Sequence, residues 1–435
     1  MKYLYFKKME NMFLFISFFF FINSKLLSVI QINRHGARTA ANFFTGKFNS
    51  LMGENMKLTP HGFNQHKILG KIIRDIYINK KKFLDNEFNP IQFEIFSTPM
   101  QRTIFSAEGF LSGLYPFNNI KIKYQDENFP KEKNEYCPIF NNNYFFSSFY
   151  NPDSNYKFIP INVFSPKNDF MLHPTKCKYK GEYVQSLIKK NLKEIFNIDK
   201  NEINFCKNEF EKFLNVKINP NTNVTESKFI SEIQKLFYVF KYHFDKDLKN
   251  INVTCLNLVK KVLLNKFYGK NDLQLNKFGV SALYTEIIRK FQSDFSKKTF
   301  LRPDNKIYTV YSAHDSNIVR IIKSLFNEEF IEKKIFESLE NNEVFDFIIP
   351  PYASSFIFEL HEKDNNSKEH YVQIYYNGKL IKENLKKIKN EYNGEIPFDE
   401  FKKLLENSID KDYFKIDCSE PKVTHHKDNK VFLDL

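Results

Sequence analysis

The segment RHGAR places two guanidinium groups on either side of a single imidazole. Guanidinium forks bind carboxylate and phosphate oxygens in pairs, so Arg34 and Arg38 are candidate site residues. The imidazole between these two cations is that of His35. Gly36 allows the backbone to approach a ligand closely. Four fixed residues in this order arise by chance on the order of once in a thousand chains of this length, so RHGAR is a strong signal.

Two further segments carry candidate site residues where a predicted strand gives way to a predicted helix. Arg102 lies three residues after Pro99, in a predicted first helical turn, where a cation opposes the helix dipole and an anion is favoured. His314 and Asp315 follow a predicted strand in the same way. Each residue also has an ordinary explanation: a surface ion pair for Arg102, a satisfied buried histidine for His314 and a helix N-cap for Asp315. Their shared position at strand ends favours a common site.

Alternating strands and helices would bring these segments together. Short, largely apolar runs predict strands over 26–33, 93–96 and 306–312, and each is followed by apolar residues at helical spacing. Two more runs, 355–360 and 371–376, predict a hairpin that extends the sheet. The pattern predicts an α/β fold with a doubly wound, mostly parallel sheet flanked by helices. In such a sheet ligands bind at the carboxyl ends of the strands, where all three segments lie.

The composition changes between the two parts of the chain that are predicted to form the sheet. It is rich in Asn and Ser at first and then continues through helical stretches such as 182–196 and 229–244. We therefore predict an α/β catalytic domain formed by 25–134 and 276–435, into which 135–275 is inserted as a mainly helical cap.

The N-terminus predicts a secretory signal peptide over residues 1–24. Lys7 and Lys8 precede an apolar run over 12–22, which small polar residues follow. The run is about half of the roughly 20 residues that a membrane span needs, so we expect no span in the mature protein. An uncleaved anchor is the alternative. The predicted location is outside the cell, or in the lumen of a lysosome or vacuole.

Composition excludes several other classes of protein. Hydrophobic residues make up 42% and charged residues 27% of the 435 residues, which is typical of a globular protein and not of a disordered or fibrous one. The net charge of +14 would favour anionic partners. The lysines are scattered, however, and are not gathered with interleaved aromatic residues, so we do not expect nucleic acid as a partner.

The cysteines lack the spacing of a metal site, so disulfides are their expected use in an oxidising compartment. Their odd number leaves one over, and spacing alone does not set the pairs among Cys137, Cys177, Cys206, Cys255 and Cys418. Three sequons permit N-glycosylation, at Asn223, Asn252 and Asn365.

Five motifs together resemble those of the histidine acid phosphatases, a branch of the histidine phosphatase superfamily. RHGAR matches the family pattern R-H-G-x-R, and LTPHGFNQHKILG is similar to its L-T-x-x-G-x-x-Q-x-x-x-L-G helix. Three more motifs follow in family order: STPMQRTIFSAEGFLSGLYP, SAHDSN and PPYASSFIFEL. The resemblance runs from about residue 30 to about residue 405, and it is specific because separate motifs agree in order and spacing.

The resemblance implies a phosphatase that hydrolyses small phosphate monoesters without a metal or other cofactor. His35 would form a phosphohistidine, and Asp315 would be the general acid. Four residues would hold the phosphate oxygens: Arg34, Arg38, Arg102 and His314. These roles suit a loose, highly charged transition state, which positioning and positive charge stabilise.

The sequence departs from the family pattern at three positions that the family does not use to hold phosphate. The Pro two residues after the second Arg of the first motif is Ala40 here. The acidic residues often found before the Arg of the second motif are replaced by Pro99 and Gln101. These changes bear on the shape of the loops more than on activity.

The resemblance also implies a disulfide between Cys177 and Cys418. A second expected pair is Cys206 with Cys255, which leaves Cys137 over. A phytase or a lysophospholipid phosphatase on the same fold is the alternative among enzymes. An inactive, phosphate-binding relative is the alternative outside them, and a homodimer is left open.

Overall fold

The computed structural model of the chain describes a sheet, the helices beside it and part of the segment between them. The residues described are 24–39, 44–45, 56–116, 159–165, 169–173, 200–214, 217–218, 252, 254–255, 258, 273–294, 307–340, 350–363, 369–411 and 413. Residues 1–23 of the predicted signal peptide and the helical stretches 182–196 and 229–244 lie outside these residues, so these elements stay predictions.

The secondary structure contains every strand predicted above, with bounds that differ by one or two residues. In chain order the strands are β1 (Lys25–Arg34), β2 (Phe44–Thr45), β3 (Phe93–Ser97), β4 (Asn162–Val163), β5 (Lys217–Ile218), β6 (Ile307–Ala313), β7 (Ser355–Glu362), β8 (His370–Tyr376), β9 (Lys379–Leu380) and β10 (Ile396–Pro397). The α-helices are α1 (Pro60–Ile73), α2 (Gln101–Leu114), α3 (Lys200–Leu214), α4 (Leu273–Asp294), α5 (Asp315–Leu325), α6 (Glu328–Glu340) and α7 (Phe398–Glu406). A π-helical segment, Arg74–Lys80, continues α1, and a 3-10 turn covers Asn390–Tyr392.

The main sheet has the strand order β10-β8-β7-β1-β6-β3-β4, with β9 also paired to β8. The half from β1 to β4 is parallel, and the half from β1 to β10 is antiparallel. The prediction of a mostly parallel sheet is therefore wrong, because the sheet is mixed. The predicted hairpin, β7 and β8, joins directly beside β1, and β10 adds a further antiparallel strand there.

Helices cover both faces of the sheet. On one face, α1 and α2 pack against each other around a buried cluster that includes Val29, Ile95 and Phe110. On the other face, α4, α5 and α7 enclose a cluster that includes Ile30 and Tyr311. Successive side chains of a strand point to opposite faces, so β1 contributes to both clusters and is buried along most of its length.

Part of the predicted cap belongs to the sheet. Asn162–Val163, inside the segment 135–275, pairs in parallel with Phe96 and Ser97 of β3. Leu172 is buried in the cluster beneath α4 and α5. The chain therefore returns to the sheet before it reaches α3, and the rest of the predicted division into domains stays a prediction.

One of the two expected disulfides lies within the described residues. Cys206 and Cys255 are bonded, and their Cα atoms are 5.2 Å apart. Cys177 and Cys418 lie outside the described residues, so that pair stays a prediction.

A buried carboxylate network lies in β7 on the face covered by α1 and α2. Glu359 is 1% exposed, accepts hydrogen bonds from Tyr77 Oη at 2.6 Å and from His361 Nε2 at 2.9 Å, and pairs with Lys81. Burial alone raises the pKa of Glu359, but the hydrogen bond from His361 and the charge of Lys81 lower it to about 2. Glu359 therefore stays ionised in acidic solution.

Replacing Glu359 by Gln should lower the free energy of unfolding by about 1–3 kcal/mol near neutral pH, since buried donors lose a charged acceptor. The pKa is depressed in the folded state, so the ionised group stabilises the fold fully above its ordinary value of 4.5, and this stabilisation is lost as the pH falls through about 2. The difference in free energy of unfolding between the variant and the parent, measured by urea unfolding, should therefore shrink as the pH falls from 4.5 to about 2. Glu391→Gln, which removes an exposed pair with Lys389, is the control. A difference in free energy of unfolding that does not change with pH would contradict the lowered pKa of Glu359.

Candidate active site

The three segments that carry candidate residues meet at the carboxyl ends of β1, β3 and β6. β6 lies between the other two strands, and the ends of both are in register with its own end. His35 follows β1 at the point where His314 follows β6, and the centroids of the two rings lie 5.6 Å apart. The segments therefore form one site.

His35 is buried among cations and keeps a lone pair on one ring nitrogen. Its Nδ1 lies 2.8 Å from the carbonyl oxygen of Gly36. A carbonyl oxygen can only accept, so Nδ1 carries the proton and Nε2 has the lone pair. Burial, followed by the charge of Arg102 and of the other cations around the ring, lowers the pKa of His35 well below its usual value. The imidazole therefore stays unprotonated, and so nucleophilic, in acidic solution.

Arg34 is held from three sides. Its Nη1 donates to the carbonyl oxygen of Pro350, and its Nη2 lies 3.4 Å from Oδ2 of Asp315. The guanidinium carbon lies 4.3 Å from the centroid of the Tyr352 ring, and such a cation–π contact is strongest when it is shielded from water. Pro350 and Tyr352 belong to the PPYASSFIFEL motif, so that motif supplies two of the partners of Arg34.

Arg38 and Arg102 complete the positive charge around His35. Arg38 is 6% exposed and donates to the carbonyl oxygen of Thr39 at 2.8 Å. Arg102 lies in the first turn of α2, and burial, followed by the charge of Arg38, lowers its pKa to about 10, so it remains a cation in neutral and acidic solution. The Nε of Arg102 is buried without a hydrogen-bond partner among the described residues. A bound anion would relieve both the repulsion between the cations and this unpaired donor.

The proton of neutral His314 can be placed by following a chain of hydrogen bonds. Thr103 Oγ1 donates to the carbonyl oxygen of Thr98 at 2.9 Å, so it has no proton left for Thr98 Oγ1. Thr98 Oγ1 therefore donates to Thr103 Oγ1 at 2.8 Å and accepts from Nε2 of His314 at 3.0 Å. Nδ1 then has the lone pair and faces Nη2 of Arg102 at 3.5 Å. Burial, followed by the charge of Arg102, lowers the pKa of His314 well below its usual value.

Asp315 begins α5 but does not cap it. The N-cap is His314, whose backbone N–H donates to Oδ1 of Asn317 at 3.2 Å. The N-cap explanation of Asp315 is therefore wrong. Its carboxylate accepts from the backbone N–H of Ser316 at 2.8 Å, pairs with Arg34, and is 34% exposed. A carboxyl group that is partly exposed beside buried cations can exchange a proton with solvent, as a general acid must.

Close backbone contacts fix the RHGAR loop against α1 and α2. A Cβ atom on Gly36 would lie 2.2 Å from the carbonyl oxygen of Gly62, and one on Gly62 would lie 2.0 Å from that of Ala37. Only glycine fits at either position. The loop amides also donate to the helices, from Gly36 to Ser106 Oγ at 2.9 Å and from Ala37 to Gln65 Oε1 at 2.8 Å.

Tyr352 and His66 support the site but are not among the residues predicted for it. The ring of Tyr352 lies 5.8 Å from that of His35, centroid to centroid. Nε2 of His66 donates to the carbonyl oxygen of Arg34 at 3.0 Å, and burial lowers the pKa of His66 to about 4. Both residues lie in motifs that carry the family resemblance, and this signal could have found them.

Asp169 and His173 also lie beside the site, in the segment predicted as a cap. The ring centroid of His173 lies 4.6 Å from that of His314, and Asp169 is hydrogen-bonded to His173 at 2.7 Å. Neither residue belongs to a motif or to a predicted element of the sheet, so the sequence contains no signal that points to them.

The positive charge of the site comes from arginine side chains. In the part of the chain that the structure describes, no group of three or more His, Cys, Asp or Glu side chains is placed to hold a metal ion. No helix in that part is both long and apolar enough to cross a membrane.

A neutral, buried imidazole set between arginines at the carboxyl ends of parallel strands is the arrangement of a histidine phosphatase. The family model of the histidine phosphatase superfamily (branch 2) matches residues 25–377, which include both the sheet and the site. The chain belongs to this family, as the resemblance of its motifs implies.

Named relatives agree with this assignment, and a solved structure has a similar fold. A "Probable acid phosphatase" of Dictyostelium discoideum is 25% identical, over 94% of this chain and 82% of its own length. The prostatic acid phosphatase of Rattus norvegicus is 23% identical, over 89% of this chain and 88% of its own length. A phytase from Citrobacter braakii has a similar fold, with a TM-score of 0.56 at 14% identity, over 90% of this chain and 99% of the phytase.

Replacing Gly62 by Ala should push α1 away from the RHGAR loop, because the new Cβ would meet the backbone of Ala37. We expect kcat for p-nitrophenyl phosphate to fall by about 100-fold, the usual cost of misplacing catalytic groups by about 1 Å. Gly279→Ala in α4 is the matched control, since its Cβ would meet the flexible side chain of Arg320 and kcat should not change. Equal kcat values in the two variants would show that this contact does not fix the loop.

Proposed function

We propose that this protein is an acid phosphatase that hydrolyses phosphate monoesters through a phosphohistidine at His35. The observation that carries the proposal is the state of the His35 ring. Burial and the surrounding cations keep it neutral, and the carbonyl oxygen of Gly36 leaves the lone pair on Nε2. Such a nucleophile can act at a pH where an ordinary histidine is protonated. Family membership and the named acid phosphatases among the relatives support the same activity.

The reaction would proceed in two displacements at phosphorus. In the first, Nε2 of His35 forms a bond to phosphorus while the bond from phosphorus to the ester oxygen breaks, and Asp315 gives its proton to the departing oxygen. Arg34, Arg38 and Arg102 neutralise the charge on the other phosphate oxygens. In the second, Asp315 takes a proton from a water molecule that attacks the phosphohistidine. This step releases phosphate and restores His35.

His314 would join the phosphate ligands through Nδ1. In the neutral tautomer this atom faces Arg102 and accepts from it. A bound phosphate dianion would raise the pKa of the ring and favour a second proton on it. Nδ1 would then donate to a phosphate oxygen.

Selectivity for the alcohol part of the substrate depends on residues other than those that would hold the phosphate. Phytase and lysophospholipid phosphatase activities are alternatives, and we propose that the cap predicted over 135–275 selects among them. An inactive, phosphate-binding relative is the alternative outside enzymes, and the presence of both His35 and Asp315 opposes it. The predicted signal peptide over 1–24 supports a location outside the cell or in the lumen of a lysosome or vacuole.

The purified protein should hydrolyse p-nitrophenyl phosphate in acidic solution, and His35→Ala should reduce kcat to background. Activity should survive exhaustive chelation, because arginine side chains supply the positive charge that a metal ion would otherwise provide. A loss of activity with EDTA that zinc or magnesium restores would contradict the phosphohistidine mechanism. A protein that binds phosphate but hydrolyses none would instead be an inactive relative.

Asp315→Asn tests the general acid. The variant keeps the hydrogen bonds of the side chain but cannot give up a proton, so the rate with an alkyl phosphate should fall by roughly 10² to 10⁴. With an activated aryl phosphate, whose leaving group needs little help from a proton, the first step should be much less affected. Rapid-quench measurement of that step against a series of leaving groups checks this. A dependence on leaving-group pKa equal to that of the parent would remove Asp315 from the mechanism.

A further inference from the structure

A buried pair of a carboxylate and an imidazole lies beside the site and has no role in the reaction described above. Asp169 is 1% exposed, and its Oδ2 lies 2.7 Å from Nδ1 of His173. Its Oδ1 accepts a hydrogen bond from the backbone N–H of Leu172 at 3.3 Å. The His173 side chain is 21% exposed, so the pair can exchange a proton with solvent.

This pair is held against His314. The ring centroids of His173 and His314 lie 4.6 Å apart, with an angle of 63° between the rings. Asn317 donates from Nδ2 to the carbonyl oxygen of Leu172 at 2.9 Å, and its Oδ1 accepts from the backbone N–H of His314 at 3.2 Å. One side chain thus ties the turn 169–173 to the start of α5 and fixes the pair relative to the phosphate site.

The charge of the pair acts on the same ring as the charges of the site. His173 faces Asp169 in its own turn and His314 at the end of β6. Arg102 and Asp315 act on His314 as well, and the charge of His173 is among the causes that lower the pKa of His314. A net negative charge on the pair would oppose the binding of an anion at His314, whereas a neutral pair would not.

We propose that the Asp169–His173 pair is a further part of the phosphate site and favours phosphate binding in acidic solution. When His173 is protonated it neutralises Asp169, and the pair has no net charge. When the pair loses this proton, an uncompensated buried carboxylate remains beside His314 and repels phosphate. The proposal rests on the proposed function, because it takes the surroundings of His35 as the place where phosphate binds.

The test is the pH dependence of sulfate binding to the full chain, measured by calorimetry. Sulfate resembles phosphate but stays a dianion from acidic to neutral pH, so titration of the ligand does not enter. In the parent, the affinity for sulfate should fall about tenfold as the pH rises and the pair loses its proton. A tenfold change is typical of the coupling between neighbouring sites. Asp169→Asn keeps an acceptor for the N–H of Leu172 but removes the charge, so the part of the fall that comes from the pair should disappear. The part that comes from protonation of His314 or Asp315 should stay. His173→Gln cannot be protonated, so the charge of Asp169 stays uncompensated and sulfate should bind about tenfold more weakly to this variant than to the parent in acidic solution.

His361→Gln is the matched control, because it removes a histidine from another buried carboxylate–imidazole pair, with Glu359 at 2.9 Å. It should lower the Tm and leave the pH dependence of sulfate binding unchanged. The same pH dependence in the parent, Asp169→Asn and His173→Gln would overturn the role of the pair. That result would leave the proposed function intact if these proteins hydrolyse p-nitrophenyl phosphate. A protein that neither binds sulfate nor hydrolyses this substrate would overturn both proposals.

Discussion

Positive charges held together around a neutral imidazole are the constraint from which most of the site follows. Arg34, Arg38 and Arg102 repel one another, and burial strengthens the repulsion because water is excluded. The protein offsets part of this cost with backbone carbonyl oxygens, the face of Tyr352 and the carboxylate of Asp315. These partners hold the guanidinium groups in place without cancelling their charge. The remaining positive charge is what a phosphate group would neutralise.

The mixed sheet brings these partners to the site. β7 runs antiparallel to β1, with Ser355 opposite Asn33, so the residues just before β7 lie at the carboxyl end of β1. Pro350 and Tyr352 can therefore reach Arg34. In a wholly parallel sheet the residues that precede a strand lie at the opposite edge from the ligand site. The antiparallel half thus contributes to the site, although the strands that carry the candidate catalytic residues belong to the parallel half.

Burial divides the titratable groups of the site into two kinds. The side chains of His35 and His314 are buried, and each has one ring nitrogen fixed by an acceptor, so both keep a lone pair in acidic solution. Asp315 is 34% exposed and His173 is 21% exposed, so both can exchange protons with water. Attack on phosphorus needs a group of the first kind, and proton transfer to a leaving group needs one of the second. The fold supplies both within a few residues of two strand ends.

Local sequence patterns predict the strands, the helices that follow them and the segments that hold the candidate site residues. Apolar runs located β1, β3 and β6, and apolar residues at helical spacing located the helices that follow them. Strands, caps and short motifs depend on neighbours in the chain, so local patterns contain this information. The folded chain was needed to show that the hairpin joins beside β1, that Asp315 is not a cap and that His173 lies against His314. It also decided the tautomers and pKa values, because burial and charge are set by groups that are far apart in the chain and meet only when it folds.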